Sequence, residues 1–343
     1  MGNHSGYDML FNFNGNNKDF KIKSIYFSQR SRPFWFKALQ KVGFMRDTSD
    51  YIFSQYVLGV KTYLYTLFYH PAIVHFTFIE ENLKFIKWKY FSQRLKKRSQ
   101  LIGTTHQPPG YWKDKKEAVL LRQLDGLVVL NNTIAAFYSE QFPSVRLLEM
   151  MHPVDTDYFK KLTISGHGNN RCLFIGYWLR DFDCLFATIR SAEARRSTLR
   201  FDLVIPAHGI RWLKESLDTL PASYITIHSG ISDDALLRLF NSANCLFLPL
   251  IDFTANNSLL EGMACELPVV VATNNRDSLY FASGAAKIFP PCEVDTIIDF
   301  MEQLQVNPEL RNRMGKKARQ FAEQQCSIQA TQQKMLDTYK SFL

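Results

Sequence analysis

The sequence predicts an α/β protein with two domains, each built on a parallel β-sheet. Short apolar stretches alternate with amphipathic helical stretches along both halves of the chain, on either side of a polar break. Strands and helices that alternate in this rhythm form βαβ units, whose strands run parallel. The chain has 343 residues, 46% of them hydrophobic and 21% charged, so it is long enough to bury two separate cores.

The first half of the chain is predicted to form an N-terminal domain over residues 21–160. Residues 1–20 are rich in Asn and Gly and are predicted to be flexible. Apolar runs predict strands over 22–27, 72–76, 101–106, 126–130 and 145–150. Helical stretches are predicted between them over 34–42, 57–69, 83–100, 117–124 and 133–141.

A polar segment with two glycines predicts a linker over residues 161–170. A second α/β domain is predicted to follow over 171–325. Its strands are predicted over 171–175, 201–205, 225–228, 245–248 and 269–272, with helices between them, notably over 233–242. Residues 310–343 are predicted to be a long helical tail, of which 326–343 form the C-terminal helix.

The charge is concentrated in the first half of the chain. Residues 1–160 hold 22 Lys and Arg against 13 Asp and Glu, which accounts for the whole net charge of +9. A basic domain suggests an anionic partner, such as a phospholipid surface, a lipid-linked phosphate or an acidic glycan. Nucleic acid is not expected, because there is no zinc-ligand spacing and no RNA-binding signature.

A basic and aromatic segment over residues 84–98 contains seven of these cations. Basic residues mixed with interfacial aromatics suit an anionic membrane surface. An ordinary amphipathic helix that crosses between two parallel strands has the same pattern, and the two interpretations stay open.

The remaining composition favours a cytoplasmic location, with the protein either free or peripheral on the inner face of the membrane. The chain has no run of 18 apolar residues, and its first 20 residues have no apolar core of a signal peptide. Six cysteines are scattered without a paired spacing, which is typical of reduced, buried thiols.

The most informative segment spans residues 255–274. Asn256, Asn257 and Ser258 are good N-cap residues for a short helix, after which Pro268 and a run of valines predict a buried strand. Backbone N–H groups at Asn257, Ser258 and Leu259 would form an anion site at the helix N-terminus. One turn further, the carboxylate of Glu261 can accept hydrogen bonds from two sugar hydroxyls. A phosphate beside a ribose is the simplest ligand that fits.

This segment resembles the donor-site motif of the family 4 retaining glycosyltransferases, which have the GT-B fold. The family pattern is a Glu, seven residues, a second Glu, then Ala-Met-Ala-Cys-Gly-Leu-Pro-Val-Val. Glu261 matches the second Glu. The chain departs from the pattern at Phe253, which replaces the first Glu, at Gly262, which replaces the first Ala, and at Glu266, which replaces Gly. The resemblance implies two Rossmann-like domains facing a central cleft, with the C-terminal helix packed back on the first domain.

The resemblance also implies further donor-binding residues. In the stretch 176–181, Gly176 matches the family, Tyr177 stands where an Arg is usual, and Arg180 is the only cation within reach of the diphosphate. A surface Arg180 paired with Asp181 is the alternative. Gly230 and Ile231 match the turn that lies against the nucleotide base.

His106 and Asp252 are expected to act on the reacting sugar. His106 matches a histidine at the end of a strand in the first domain, which faces the donor sugar in the family; a structural histidine is the alternative. His75, at the end of the preceding strand, is a weaker candidate. Asp252 or Asn256 could replace the missing first Glu as a partner of the sugar hydroxyls.

The resemblance thus predicts a retaining glycosyltransferase that moves a hexosyl group from a nucleotide diphosphate sugar to a hydroxyl acceptor, in glycan, polysaccharide or glycolipid synthesis. The acceptor would be a glycan or a lipid-linked molecule. The resemblance implies no metal and no cofactor, and both Asp-x-Asp pairs, 155–157 and 181–183, are short patterns that arise easily by chance. The rivals are another GT-B enzyme, such as an epimerase or an inverting transferase, and a non-catalytic subunit that binds a glycan or a partner.

Overall fold

The structure is a computed structural model of the chain. It describes residues 4, 6–11, 20–25, 50–86, 99–113, 115–163, 170–281, 284, 286–291 and 293–343, and for residues 50–56 and 83–86 the backbone alone. The chain divides into two compact units. Unit 1 comprises Met1–Leu10, Asn131–Thr133 and Met150–Met335, and unit 2 comprises Phe11–Leu130, Ile134–Glu149 and Leu336–Leu343.

Unit 2 is built on a four-stranded parallel sheet with the order β1-β2-β3-β4. The strands are β1 Ile73–Phe76, β2 Gln100–Thr105, β3 Gly126–Val129 and β4 Arg146–Glu149. The helices are α1 Asp50–Tyr69, α2 Ile79–Ile86, α3 Pro109–Lys113 and α4 Asn132–Gln141, with a 3₁₀ helix at Lys116–Gln123. Leu127 and Val129 of β3 are buried with Trp112, Ile134 and Tyr138, so the β3 side chains lie in the core of this unit.

Unit 1 is built on a six-stranded parallel sheet with the order β10-β9-β8-β5-β6-β7. Its strands are β5 Arg171–Ile175, β6 Arg200–Val204, β7 Ile225–His228, β8 Cys245–Pro249, β9 Val269–Ala272 and β10 Ala286–Phe289. Every residue of β8 and β9 is buried, as expected for central strands covered by helices on both faces.

The helices of unit 1 connect these strands. They are α5 Phe182–Ala194, α6 Ala207–Asp218, α7 Asp233–Ser242, α8 Asn257–Ala264, α9 Val294–Val306 and α10 Pro308–Phe321. Separate apolar clusters cover the two faces of the sheet: Leu246, Val269 and Val271 lie in one, and Phe247 and Val270 in the other. Alternate residues of each central strand thus point to opposite cores.

The C-terminal tail is two helices rather than one. A π-helical turn at Ala322–Cys326 separates α10 from the last helix, α11 Ile328–Lys340. The end of this tail packs within unit 2. Phe342 lies against Gly126, where an added Cβ would be 2.5 Å from the ring. The hydroxyl of Tyr339 lies 2.7 Å from Nδ1 of His75, whose Nε2 lies 2.8 Å from the hydroxyl of Thr104.

Most predicted strands are present, and some predicted elements differ. The strand predicted over 22–27 is absent from 22–25, which are irregular; the described sheet offers them no paired neighbour. The helix predicted over 83–100 starts earlier, at Ile79, and is described to Ile86, while Gln100 already belongs to β2. Strand β10 was not predicted, because few periodic apolar positions mark the stretch from 275 to 289. Helix α9 was not predicted either, although Ile297, Met301 and Leu304 have helical spacing.

The N-terminal segment differs from the flexible stretch predicted over 1–20. Tyr7–Phe11 form a 3₁₀ helix in which Tyr7 and Leu10 are buried. Gln332 of α11 donates a hydrogen bond to the carbonyl oxygen of Leu10, over 3.1 Å. The predicted domain boundaries, including the linker at 161–170, stay predictions, since residues 164–169 lie outside the described residues.

Among the described residues, no helix is both long enough and apolar enough to cross a lipid bilayer. Most of the basic segment 84–98 falls outside the part of the chain that the structure describes, as do the helix predicted over 34–42 and Cys292. The five described cysteines are buried, and none of them forms a disulfide bond within the described part of the chain.

His75 generates a prediction about acid stability. Burial lowers its pKa from 6.5 to about 3. The unfolded chain therefore binds a proton below pH 6.5 that the folded chain does not bind, so stability falls as the pH falls through this range. From pH 7 to pH 5, we expect the wild type to lose about 2 kcal/mol more unfolding free energy than His75→Gln, at 1.36 kcal/mol per pKa unit. Urea unfolding at both pH values measures this difference, with the exposed His70→Gln as the control. Equal acid sensitivity of His75→Gln and the wild type would contradict it.

Candidate functional site

The strand order of unit 1 reverses between β5 and β8. In unit 1, the first strand along the chain is β5. The chain continues through β6 to β7 on one side of β5, and then returns to β8 and continues through β9 to β10 on the other side. Loops that leave the carboxyl ends of two such neighbouring strands diverge, and ligands bind in the crevice between them. The loop after β5 holds Gly176 and Arg180, and the loop after β8 leads to Asn256 and helix α8, so the topology brings these predicted donor-binding residues together.

The N-terminus of α8 is capped by Asn256, as the sequence predicted. The Asn256 side chain accepts a hydrogen bond from the N–H of Leu259 over 3.2 Å, and its carbonyl accepts one from Leu260 over 3.2 Å. Among the hydrogen bonds within the described chain, the N–H groups of Asn257 and Ser258 have no protein acceptor. Two donors and the positive end of the helix dipole thus remain available to an anion.

Arg180 lies beside this helix N-terminus. Its Nη2 donates to Oδ1 of Asn256 over 3.3 Å, and its other nitrogens donate to the carbonyl oxygens of Ile175 and Trp178. The guanidinium lies over Gly176, where an added Cβ would be 2.7 Å from Nη2, and Gly176 has φ +112°. A side chain at position 176 would displace Arg180, so the glycine is required both for its backbone and for this close approach.

The surroundings of Arg180 disfavour its positive charge. Burial lowers the pKa of its guanidinium from its usual range to about 10. A cation at the N-terminal end of a helix is also opposed by the helix dipole. The alternative of a surface ion pair with Asp181 is wrong, because Asp181 caps α5 by accepting from the N–H of Cys184 over 2.9 Å. An anion bound here would relieve both penalties.

Glu261 lies one turn inside α8 and is 4% exposed. Its charge adds to the effect of burial in raising the pKa of the Cys265 thiol. A carboxylate rarely takes so buried a position unless it is paired or hydrogen-bonded. The position agrees with a binding role, and the role itself stays a prediction.

In the loop between β8 and α8, Phe253 stands at the position of the first Glu of the family pattern. Phe253 is 2% exposed and packs against Phe281, with ring centroids 5.3 Å apart. The side chain at this position is therefore apolar and belongs to the core of unit 1. Asp252 accepts a hydrogen bond from the N–H of Phe253 over 2.8 Å, which makes it a turn residue in this structure. Its proposed part in catalysis stays a prediction.

The carboxylate of Asp202 is buried and contacts His228, the last residue of β7, just before the turn that follows this strand. Asp202 of β6 is 2% exposed, pairs with Arg171 of β5, and lies 2.8 Å from Nε2 of His228. Gly230 follows with φ +63° and no atom within 4 Å of an added Cβ, so it forms an open turn with Ile231. Because β6 lies between β5 and β7, these two residues are two strands away from Arg180.

In unit 2, His106 follows β2 directly. Its Nε2 donates to the carbonyl oxygen of Thr77 over 2.9 Å, and its ring stacks on Phe78. Sequence reasoning did not single out Glu80, whose carboxylate accepts from the N–H of His106. The signal that could have found it is an acidic residue in the first turn of a helix beside a strand end. His75 is structural, since both of its ring nitrogens are bound within the core of this unit.

The acidic pairs have ordinary structural roles. Asp155 accepts from the N–H groups of Asp157 and Tyr158, over 3.1 and 3.0 Å, and lies 3.0 Å from His4. Among the described residues, no group of three or more His, Cys, Asp or Glu side chains is placed to hold a metal ion.

The C-terminal end of α8 explains the other two departures from the pattern. The N–H of Leu267 donates to the carbonyl of Gly262 and that of Glu266 to Met263, which is a Schellman motif. Its left-handed position is Glu266, with φ +58°, where the family has Gly. Gly262 lies against strand β8, since an added Cβ would be 2.8 Å from Leu246. Gly262 therefore has a packing reason, whereas Glu266 carries backbone strain.

Comparison with known proteins shows which part of the chain resembles a described family. Residues 212–321 match the family model of glycosyl transferases group 1. The matched region includes helix α8 and the whole donor-site motif, and it covers less than half of the chain. No curated protein matches the sequence at a significant level.

Solved structures of GT-B enzymes resemble the chain over most of its length. Sucrose-phosphate synthase from Thermosynechococcus elongatus has a TM-score of 0.66 and 14% identity over 84% of this chain and 78% of that one. A glycosyltransferase from Rickettsia africae has a TM-score of 0.63 and 14% identity over 91% and 88%. The pneumococcal O-GlcNAc transferase GtfA, in complex with UDP and GlcNAc, has a TM-score of 0.57 and 13% identity over 74% and 55%. The predicted GT-B fold, with two parallel-sheet α/β domains, is confirmed.

Relief of the strain at Glu266 should stabilise unit 1. A left-handed conformation costs a non-glycine residue about 1–2 kcal/mol, and part of the gain from glycine is lost to its freer unfolded chain. We expect Glu266→Gly to raise the unfolding free energy by about 0.5–1 kcal/mol, the balance of these two effects. Urea or thermal denaturation measures the change, with Glu266→Ala as the control for loss of the carboxylate. A Glu266→Gly variant no more stable than Glu266→Ala would show that the backbone is unstrained.

Proposed function

We propose that the protein is a retaining glycosyltransferase of the family 4 kind, which moves a hexosyl group from a nucleotide diphosphate sugar to a hydroxyl acceptor. The observation that carries the proposal is the arrangement at the switch point of unit 1. The guanidinium of Arg180 lies on the loop after β5, and two N–H groups and the carboxylate of Glu261 lie on helix α8, which follows the loop after β8. The match to group 1 glycosyl transferases over 212–321 supports the class of reaction.

The diphosphate is the part of the donor for which the site has most groups. The N–H groups of Asn257 and Ser258 would donate to its oxygens, and Arg180 would supply a charge-assisted fork. Negative charge grows on the diphosphate as the sugar leaves it. Groups that are already oriented toward the diphosphate stabilise the transition state more than the ground state. GtfA, whose structure was solved with UDP and GlcNAc, supports a nucleotide diphosphate donor.

The remaining roles follow the resemblance. Glu261 would accept hydrogen bonds from the ribose hydroxyls, and the turn at Gly230 and Ile231 would lie against the base. His106 would act on the reacting sugar, with Asp252 as a partner of its hydroxyls. Synthesis of a glycan, polysaccharide or glycolipid in the cytoplasm, without a metal or cofactor, belongs to the same proposal.

A second candidate function rests on one specific observation. Phe253 occupies the position of the first Glu and is 2% exposed, so the carboxylate that the family uses there is missing. A chain of this kind could bind a glycan or a partner transferase without turning over a donor. Hydrolysis of a nucleotide sugar in the absence of acceptor separates the two, because a non-catalytic subunit releases no free sugar.

Donor binding tests the proposal directly. Among UDP-, GDP- and ADP-sugars, we expect one at a hundred times its dissociation constant to add about 2.7 kcal/mol of stability. Glu261→Gln should weaken binding of that donor by about 1.5–3 kcal/mol, the scale of a hydrogen bond to a charged group. Thermal shift identifies the donor and calorimetry measures the affinity.

Glu266→Gln is the matched control for this variant, because it makes the same change at the other end of α8. A folded Glu261→Gln that binds the donor as tightly as the wild type would reject the assignment of Glu261. Failure of every nucleotide sugar to bind the wild type would reject the glycosyltransferase itself.

Contact with an anionic membrane or a lipid-linked phosphate is the last part of the proposal. It rests on the net charge of +9 in residues 1–160 and on the segment 84–98. Each cation near an anionic membrane contributes about 1 kcal/mol and is screened within a Debye length. Replacement of Lys96, Lys97 and Arg98 by Gln should therefore release the protein from anionic vesicles.

Vesicle co-sedimentation at low and high salt measures this release. A triple variant at Lys113, Lys115 and Lys116, in the same half of the chain, controls for the change in net charge. Equal binding to neutral and anionic vesicles, or no binding to either, would leave the segment 84–98 as an ordinary solvated helix.

A further inference from the structure

The segment 77–80 in unit 2, which is the turn after β1 and the first residues of α2, makes three contacts with His106. Nε2 of His106 donates to the carbonyl oxygen of Thr77 over 2.9 Å. The imidazole stacks on Phe78, with centroids 4.2 Å apart and planes 18° apart. The backbone N–H of His106 donates to both carboxylate oxygens of Glu80, over 3.2 and 3.4 Å. The ring and the main chain of one residue are therefore both fixed by the same short segment.

These contacts decide which ring nitrogen of His106 can accept a proton. A carbonyl oxygen only accepts, so Nε2 must carry the hydrogen in the contact with Thr77. In the neutral ring, Nδ1 then carries the lone pair. The stacking contact with Phe78 fixes the plane in which that lone pair lies. Any movement of the main chain at position 106 changes the direction of Nδ1.

Glu80 is an unusual group to hold that main chain. Burial raises its pKa from 4.5 to about 7, helped by the charge of Glu81 and opposed by the charge of Lys115 and by hydrogen bonds from its own N–H and that of His106. On the facing helix α4, the phenol of Tyr138 has its pKa raised mainly by burial and also by the charge of Glu80. These are the charged and titratable groups among the described residues that act on Glu80.

We propose that Glu80 is a positioning residue for His106, whose carboxylate fixes the main chain of His106 and loosens it on protonation. A hydrogen bond to an ionised carboxylate is shorter and about twice as strong as one to a neutral acceptor. The charged form of Glu80 therefore keeps Nδ1 of His106 aimed, and the neutral form allows it to drift. The inference rests on the proposed function, because only a catalytic His106 gives this aim a consequence for turnover.

A purely structural role for Glu80 predicts something else. Carboxylates in the first turn of a helix stabilise it through the dipole, and their removal lowers stability without altering a pH profile. The two roles differ in the pH dependence of turnover and of the His106 main-chain amide. The matched control is Glu81→Gln, which removes the exposed carboxylate next to Glu80 in the same helical turn.

Turnover is the first readout. In the wild type, we expect kcat to rise with pH through a step near pH 7. In Glu80→Gln, the step should vanish and kcat at pH 8 should fall by roughly tenfold to a hundredfold, the scale on which small misplacements of a catalytic group act. The KM for the donor should stay within about twofold, since the donor groups lie in unit 1. Glu81→Gln should keep the step and the kcat at pH 8, with the step moved slightly to lower pH because the charge of Glu81 helps to raise the pKa of Glu80. A wild-type step retained in Glu80→Gln, or equal losses in both variants, would overturn the proposal.

The second readout needs no turnover, so it stands apart from the proposed function. In protein labelled at histidine, the main-chain amide signal of His106, whose N–H donates to Glu80, is assigned by comparison with His106→Gln. We expect this amide signal to shift with pH through a step near pH 7 that is present in the wild type and in Glu81→Gln and absent from Glu80→Gln. If this step is absent from the wild type, or survives in Glu80→Gln, then Glu80 does not control His106. If the NMR step is present but no donor is turned over, the proposed function fails and the coupling stands.

Discussion

The reversal of strand order between β5 and β8 is the constraint on which the proposed donor site of this protein depends. Because the chain progresses in opposite directions from these two neighbouring strands, their following loops part and leave backbone groups uncovered. The groups that could bind an anion here then come from two segments of the chain. One contributes Gly176 and Arg180, and the other contributes Asn256 and the first turn of α8. The buried valines of β9 and the packing of Gly262 on Leu246 fix α8 on the sheet behind them.

Arg180 is the single cation in the loop after β5. The glycosyltransferases that the chain resembles have two cations at this place, and the loop after β5 holds one. That one is held by two backbone carbonyls and by the N-cap Asn256, so it is oriented without an acidic partner. An acid beside it would neutralise the charge that a phosphate requires. The loss of the first Glu, by contrast, is filled by apolar packing at Phe253, which keeps the loop in place and changes its chemistry.

Sequence reasoning found the parts of the fold whose signals are local. The buried strands β8 and β9 and the cap at Asn256 could be predicted because a run of valines and a polar residue before a helix have one physical meaning each. The pairing of Arg180 with Asn256 could not, since they are 76 positions apart and only the strand order brings them together. The first-turn carboxylate of Glu80 was overlooked for a similar reason. In the sequence it looks like any acidic residue that favours a helix N-terminus, and only the fold shows that it binds the end of β2.

The packing of α11 has a consequence for the order in which the chain acquires its structure during synthesis. Unit 2 includes Leu336–Leu343, which follow the whole of unit 1 in the chain. Tyr339 lies on His75, and Phe342 lies on Gly126. A ribosome releases the chain from its N-terminus, so the sheet of unit 2 emerges before the sheet of unit 1. Tyr339 and Phe342, which pack on this sheet of unit 2, emerge only after unit 1 has been made. The sheet that is made first is thus the last to be completed.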